Sequence, residues 1–226
     1  KSRTKEGGIF MKEKKILKII LAVIMVVIVL FLLNTLRKFV IIKNLQGAAE
    51  KYASSNNVHV KSVEEENSNT IVTINYYKKA EKNLLTIERK NKDAVSKISK
   101  YSAGNKTDIF YDSGENKIAE LNNTESNVEF NIYSYVKTNN NWETFLASMS
   151  AKIKATQYNG KKCYVIKNFA SSTFLTSKDA EAYIEKDTGL LVKYSMNTNT
   201  TEREYEFNNV SDSIFIEPDI SEYKVK

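Results

Sequence analysis

Hydrophobic positions follow two regimes along this chain. From Ile19 to Leu33 fifteen apolar residues run without a break, and the stretch reaches Ile16 and Leu36 with only Lys18, Asn34 and Thr35 intervening. A helix of that length covers about 31 Å, the thickness of a bilayer's hydrocarbon core. A helix apolar on every side has no face to offer water, so a soluble core helix fits poorly. Lys18 lies one turn from the end of the stretch, within snorkelling reach of head groups. A cleaved signal peptide also begins with an apolar run, but here Arg37 and Lys38 follow at once, and the first small-residue cluster, Gly47-Ala48-Ala49, is distant. The expectation is an uncleaved transmembrane helix over 16–36, preceded by a cytoplasmic segment over 1–15. Met11-Lys12-Glu13-Lys14-Lys15 reads as a positively charged start, which makes 1–10 an upstream extension.

Beyond the apolar run the period changes. Phe39 to Ser54 carries a loose helical stripe of Val40, Leu45, Ala48, Ala49 and Tyr52, predicting a stalk helix over 37–55. From there, short segments rich in Val, Ile, Thr, Tyr and Phe predict strands. Asn127 to Val136 alternates most cleanly, with Val128, Phe130, Ile132, Ser134 and Val136 on one face. Thr70 to Lys79 and Asn83 to Arg89 read as strands, while Ala94 to Tyr101 fits helix or strand. Asn139–Asn141 supply caps for a short helix over Trp142–Met149. Glu64-Glu65-Glu66 ends a strand and reads most simply as a solvated turn.

Asn159-Gly160 is the dipeptide of a two-residue type I′ turn, since both central residues take positive φ. It fixes a register in which Ile153 faces Ile166, Ala155 faces Tyr164 and Thr156 faces Cys163. Asp187-Thr188-Gly189 predicts a longer reversal with Gly189 left-handed. With roughly ten to twelve strands in hairpin order and no long helices between them, the fold class is α+β. It comprises an N-terminal transmembrane helix followed by a curved, mostly antiparallel, half-barrel-like sheet over 56–226, with one or two covering helices.

Tyr183-Ile184-Glu185-Lys186-Asp187-Thr188-Gly189-Leu190-Leu191-Val192-Lys193 resembles a hairpin of the periplasmic lipoprotein-carrier superfamily, which includes carriers and envelope-stress sensor domains. Tyr205-Glu206-Phe207-Asn208-Asn209-Val210 and Pro218-Asp219-Ile220 resemble the way such chains close. The resemblance implies a half-open antiparallel barrel that holds a lipid or other hydrophobic ligand. Leu191 stands where family members often carry Pro, and an anchor replaces a cleaved signal, which argues against soluble shuttling. Lys-Asp-Thr-Gly is also good turn chemistry in any antiparallel sheet.

Composition narrows the function. The net charge of +7 suggests nucleic acid until it is divided by position: ten of the 34 Lys and Arg, against two acids, lie within residues 1–43, leaving 24 basic and 25 acidic residues beyond. The folded part has no basic excess to track phosphates, so no nucleic-acid partner is expected. The Lys and Arg bias around the apolar run favours a cytoplasmic N-terminus and an extracytoplasmic C-terminal domain in a single-pass cell-membrane protein. Counted from Met11, four basic residues stand on each side. His59 and Cys163 are single representatives of their kinds, which removes multi-ligand zinc sites. No phosphate-loop, dinucleotide, nucleophile-elbow or zinc-protease motif occurs. His59, flanked by Val58 and Val60, reads as a strand residue, and Cys163 as a small buried one. The expectation is therefore a non-enzymatic envelope protein with no catalytic, cofactor or metal residues. The lipid bilayer is its first partner through the N-terminal helix. The folded domain serves as an interaction or sensing module for another envelope protein, or alternatively binds a lipid ligand. Thr70 to Tyr77, with Ile71 opposed to Val72, Ile74 and Tyr76, partly meets the two-sided apolar pattern of a cavity wall, and polar Thr73 and Asn75 weaken it.

Overall fold

The computed structural model describes residues 4–67, 69–92, 94–124, 128, 130, 135–170 and 179–226. Its first element, α1 (Thr4–Ala53), is one continuous helix of 50 residues. The segment Lys15–Tyr52 is long and apolar enough to cross a membrane or to act as a signal sequence. Ile19 to Leu33 are all exposed. From Thr35 onward a different stripe is covered: Thr35, Ile42, Leu45, Gln46 and Ala49 are buried, at the spacing of one helix face. The predicted stalk segment is thus helical to Ala53 and contributes to the core of the folded part.

Six strands follow in hairpin order: β1 (Asn57–Asn67), β2 (Thr70–Lys79), β3 (Lys82–Asn91), β4 (Ala94–Ala103), β5 (Lys106–Asp112) and β6 (Lys117–Asn123). The short helix α2 (Asn141–Ser150) precedes β7 (Lys152–Tyr158), β8 (Lys161–Lys167), β9 (Ala180–Glu185), β10 (Leu191–Met196) and β11 (Asn199–Phe207), and β12 (Lys224–Val225) ends the chain. All twelve form one sheet in the order β12-β6-β5-β4-β3-β2-β1-β11-β10-β9-β8-β7. Every pairing is antiparallel except β12 with β6. The β1–β11 pairing joins the two runs of hairpins, since Val58 to Glu65 oppose Phe207 to Thr200 in register.

The predicted hairpin register holds: Ile153 faces Ile166, Ala155 faces Tyr164 and Thr156 faces Cys163. Ala94–Ala103 is a strand because it pairs along its length with β3 and also with β5, a tertiary choice that periodicity alone left open. Two expectations are corrected. Glu64, Glu65 and Glu66 lie inside β1, where Glu64 and Glu65 pair with Val72 and Ile71 and Glu66 sits at a register shift before Asn67, so the run is the last part of a strand and not a turn. Of the strand expected over Asn127–Val136, the described members Val128, Phe130, Tyr135 and Val136 have no strand structure, while 127, 129 and 131–134 lie outside the described residues. Val128 and Val136 are nonetheless buried, so their apolar alternation reports packing against the sheet.

The inner face of the sheet carries the core. Ile42 and Leu45 of α1 and Ala147 of α2 pack with Ile166, Ala182, Ile184 and Leu191. Further along, Ala49 joins Val58, Val60, Tyr76, Val128 and Leu190. The Gly189 turn is pressed against α1: a Cβ there would stand 2.1 Å from Leu45 O and 2.7 Å from Ala49 N, at φ +67°. Around it, Thr188 Oγ1 donates to Glu185 Oε2 at 3.0 Å and accepts from Leu190 N at 3.3 Å, and Gly189 N donates to Glu185 O. The Asp-Thr-Gly sequence therefore closes the turn and lets the helix seat on it.

The outer face of β3–β6 is covered by the chain's own end. Ser99, Phe110 and Ala119 share that face by register and are buried. Tyr223 meets Phe110 edge-on with ring centroids 5.1 Å apart. Lys79–Asp212 at 2.6 Å and Lys117–Glu222 at 2.7 Å tie the segment down.

Candidate functional site

The strand β11 reads Thr201-Glu202-Arg203-Glu204-Tyr205-Glu206-Phe207. Its three glutamates are exposed and alternate with half-buried Arg203, Tyr205 and Phe207, which therefore share the inner face. Arg203 stands opposite Ser62 of β1. Its guanidinium carbon lies 4.9 Å from the Phe130 ring centroid and 5.0 Å from that of Tyr135. It also hydrogen-bonds the Tyr205 hydroxyl, which itself donates to Leu191 O at 2.9 Å. Burial pushes the Tyr205 hydroxyl up to about 12, against the opposing pull of Arg203, so it stays neutral at ordinary pH. Burial likewise raises the Tyr135 hydroxyl, and Glu64 adds to the rise.

Arg203 Nε and Nη1 are buried without a hydrogen-bond partner among the described residues, and so is Ser62 Oγ. The aromatic faces stabilise the cation but accept nothing from its in-plane N–H groups. Leaving a buried charged donor unpaired costs on the order of 1–3 kcal/mol or more. A carboxylate or phosphate oxygen is the group that such donors lack.

The register places a lane beside it. From Ser62 the cross-strand row continues through Ile74, Ile87, Ile98, Tyr111 and Ile118. Each of these side chains is half-buried, in contrast to the fully buried Val58 and Val60 under α1. Five strand spacings make this lane roughly 24 Å long.

The fold also holds concavities. One, about 530 Å³, lies between α1 and residues 136–141, where Gln46 Nε2 already donates to Val136 O at 2.7 Å and Thr138 Oγ1 at 3.0 Å. A second, about 390 Å³, opens among Lys61, Tyr158, Lys161 and Glu202, where Lys161 pairs with Glu185 and Tyr158 donates to Glu202. The third, about 300 Å³, brings Asp108 and Glu217 into one site. Burial first and Asp108 second raise the Glu217 carboxyl, and Asp108 Oδ1 accepts from Asn122 N at 2.6 Å.

The residues singled out by the sequence lie apart from one another. His59 stacks on Tyr77 with ring centroids 4.2 Å apart, flanked by Glu206 at 3.4 Å and Asn75 at 3.3 Å on the outer face. Cys163 is fully buried and its thiol is raised, chiefly by burial and then by Glu185. No cluster of three or more His, Cys, Asp or Glu suited to a metal ion occurs among the described residues. Arg203 was not foreseen, although the Glu-x-Glu-x-Glu alternation around it was a sign that this arginine shares a face with Tyr205 and Phe207.

No family model matches the chain, and no curated protein matches it. Among solved structures, an uncharacterized conserved protein from Thermus thermophilus is 9% identical, with a TM-score of 0.44 over 81% of this chain and 98% of that one. A LolA superfamily protein from Nitrosomonas europaea is 8% identical, with a TM-score of 0.23 over 76% of this chain and 97% of that one.

Proposed function

We propose that this chain is a membrane-anchored, non-enzymatic binding domain that holds an acidic amphiphile on the inner face of its sheet. The anionic head is taken by Arg203 and Ser62, and the hydrocarbon tail lies along Ile74, Ile87 and Ile98. The observation that carries this reading is the buried, unpartnered pair of Arg203 N–H groups beside the equally unpartnered Ser62 hydroxyl, at the head of a half-buried aliphatic row. Apolar surface left partly open next to an unsatisfied cation is the complement of a fatty acid or a phospholipid. The apolar part of α1 is the anchor, with the N-terminus cytoplasmic and the folded domain outside the cytoplasm. Because α1 enters the core without a break, the site is held at a fixed distance from the bilayer that supplies such molecules.

A non-enzymatic role agrees with the condition of the reactive side chains, since the Cys163 thiol is buried and raised and the His59 ring is stacked on Tyr77. Docking of an envelope protein by strand addition is the weaker reading, because the terminal strand β7 carries Lys152 and Lys154, residues that discourage edge pairing.

The test is photolabelling of the full chain in membranes with a diazirine-bearing long-chain fatty acid and, in parallel, its uncharged methyl ester. The acid is expected to label peptides of β1–β4 and β11, and Arg203→Leu to abolish that labelling. Labelling confined to 15–40, or equal labelling by acid and ester, overturns the reading.

A further inference from the structure

The helix α2 is amphipathic the wrong way round for a helix that faces water. It buries Thr144 at 0%, Ser148 at 0% and Ala147 at 5%, and exposes Trp142 at 67%, Leu146 at 46% and Met149 at 39%. The exposed three recur at one helix face, the spacing i, i+4, i+7. The buried hydroxyls are satisfied within the helix: Thr144 Oγ1 donates to Asn140 O at 3.1 Å and Ser148 Oγ to Thr144 O at 2.7 Å. Small residues with back-bonded hydroxyls facing a neighbouring helix allow close approach, which is the pattern of helices packed in lipid.

Position supplies the occupant of the outward face. Phe145 of α2 meets Phe39 of α1 edge-on with centroids 6.3 Å apart, and Trp142 stacks on Phe145 at 5.8 Å. Phe39 lies three residues, roughly one helical turn, beyond Leu36, where the apolar run ends. On α1 itself, Leu36 and Val40 remain exposed at 48% and 52% beside this contact. Thr35, inside the run, is already fully buried, so the fold reaches the level of the span's end without a spacer. Lys137 and Lys152, which precede and follow α2 in the chain, are exposed. The acid of α2, Glu143, is engaged at the helix start, where its carboxylate accepts from Asn139 N at 2.6 Å.

We propose that α2 is an interfacial helix whose Trp142, Leu146 and Met149 face lies in the head-group boundary of the same bilayer that α1 spans, seating the sheet on the membrane surface. This rests on the anchored reading of α1. A tryptophan with aliphatic neighbours on one face of a helix flanked by exposed lysines matches the boundary between acyl chains and anionic head groups.

Trp142 is the chain's one tryptophan, so its emission reports this face alone. The full chain is reconstituted into vesicles of phosphatidylcholine and phosphatidylglycerol, with and without bromine on the acyl chains. Flotation with the vesicles is scored separately and reports the anchor. The expected result is quenching of Trp142 by the brominated lipid and protection from aqueous acrylamide, both lost in the double variant Leu146→Glu, Met149→Glu while flotation persists. Those two side chains are substantially exposed, and an unchanged strand signal in circular dichroism verifies the fold of the variant. Floating vesicles whose Trp142 is open to acrylamide and unquenched by bromine overturn the proposal. Acrylamide protection without bromine quenching also overturns it, showing a protein surface such as a second copy on α2. Quenching that survives in the double variant overturns it as well, because the anchor alone would then place Trp142 near lipid. Failure to float overturns the anchored reading instead.

Discussion

Replacing Gly189 by Ala tests how the sheet is fastened to α1. Two terms act on that residue. At φ +67° any side chain occupies the left-handed region, at a cost of about 1–2 kcal/mol. In addition the new methyl falls 2.1 Å from Leu45 O and 2.7 Å from Ala49 N, both backbone atoms of a helix that cannot rotate out of the way. Relieving that overlap means lifting α1 from Leu190 and Ile184, an overpacking cost of about 1–3 kcal/mol. Gly160 isolates the first term: its φ is +77°, but a Cβ there meets nothing within 4 Å. Gly160→Ala should therefore lose about 1–2 kcal/mol and Gly189→Ala about 2–5 kcal/mol. Thermal melting of the full chain in detergent, followed by the strand signal in circular dichroism, should place Gly189→Ala roughly 2–12 °C below Gly160→Ala. Equal melting temperatures for the two variants would refute the close seating of the hairpin on α1.

Three further outcomes follow from single groups. Ser62 is fully buried and its hydroxyl unpartnered, so Ser62→Ala should stabilise the ligand-free chain by about 1 kcal/mol in a thermal melt, whereas a satisfied buried serine would lose stability. Asp212 is held below its ordinary value of 3.8, first by the hydrogen bond from Lys79; its contribution is present above that value and is lost as pH falls through the depressed one. Limited pepsin digestion should accordingly release the 208–226 segment earlier in Asp212→Asn than in the unaltered chain at about pH 4–5, and equal release would remove Asp212 as its tether. The Cys163 thiol is raised by burial and then by Glu185, so at neutral pH it should react with a maleimide far more slowly than a free cysteine until denaturant is added; rapid labelling of the native chain would contradict its burial.

The parts of the fold legible in the sequence are those set by local chemistry. Asn159-Gly160 dictated a turn, and the turn dictated the β7–β8 register. Asn140 caps α2 through Glu143 N at 2.8 Å, as the asparagine run implied. What depended on distant partners was less readable. Ala94–Ala103 becomes a strand through its neighbours on both sides. Glu64–Glu66 look like a turn by charge but lie in β1, where Glu64 and Glu65 pair with β2 and Glu66 accepts from Arg89 at 2.5 Å. The need for glycine at 189 was visible as turn chemistry, yet the α1 backbone that a Cβ there would strike was not. The candidate site shows the same limit: Arg203 and Ser62 are 141 positions apart, and only the β1–β11 pairing, closed across two separate runs of hairpins, sets them side by side.

The central claim is that Arg203 holds an acidic amphiphile, and native mass spectrometry of the full chain released from detergent reads it directly. The account predicts a bound mass of fatty-acid or phospholipid size on the unaltered chain that is absent from Arg203→Leu, with organic extraction recovering an acidic lipid from the first alone. A bare chain, or the same adducts on both proteins, would contradict it.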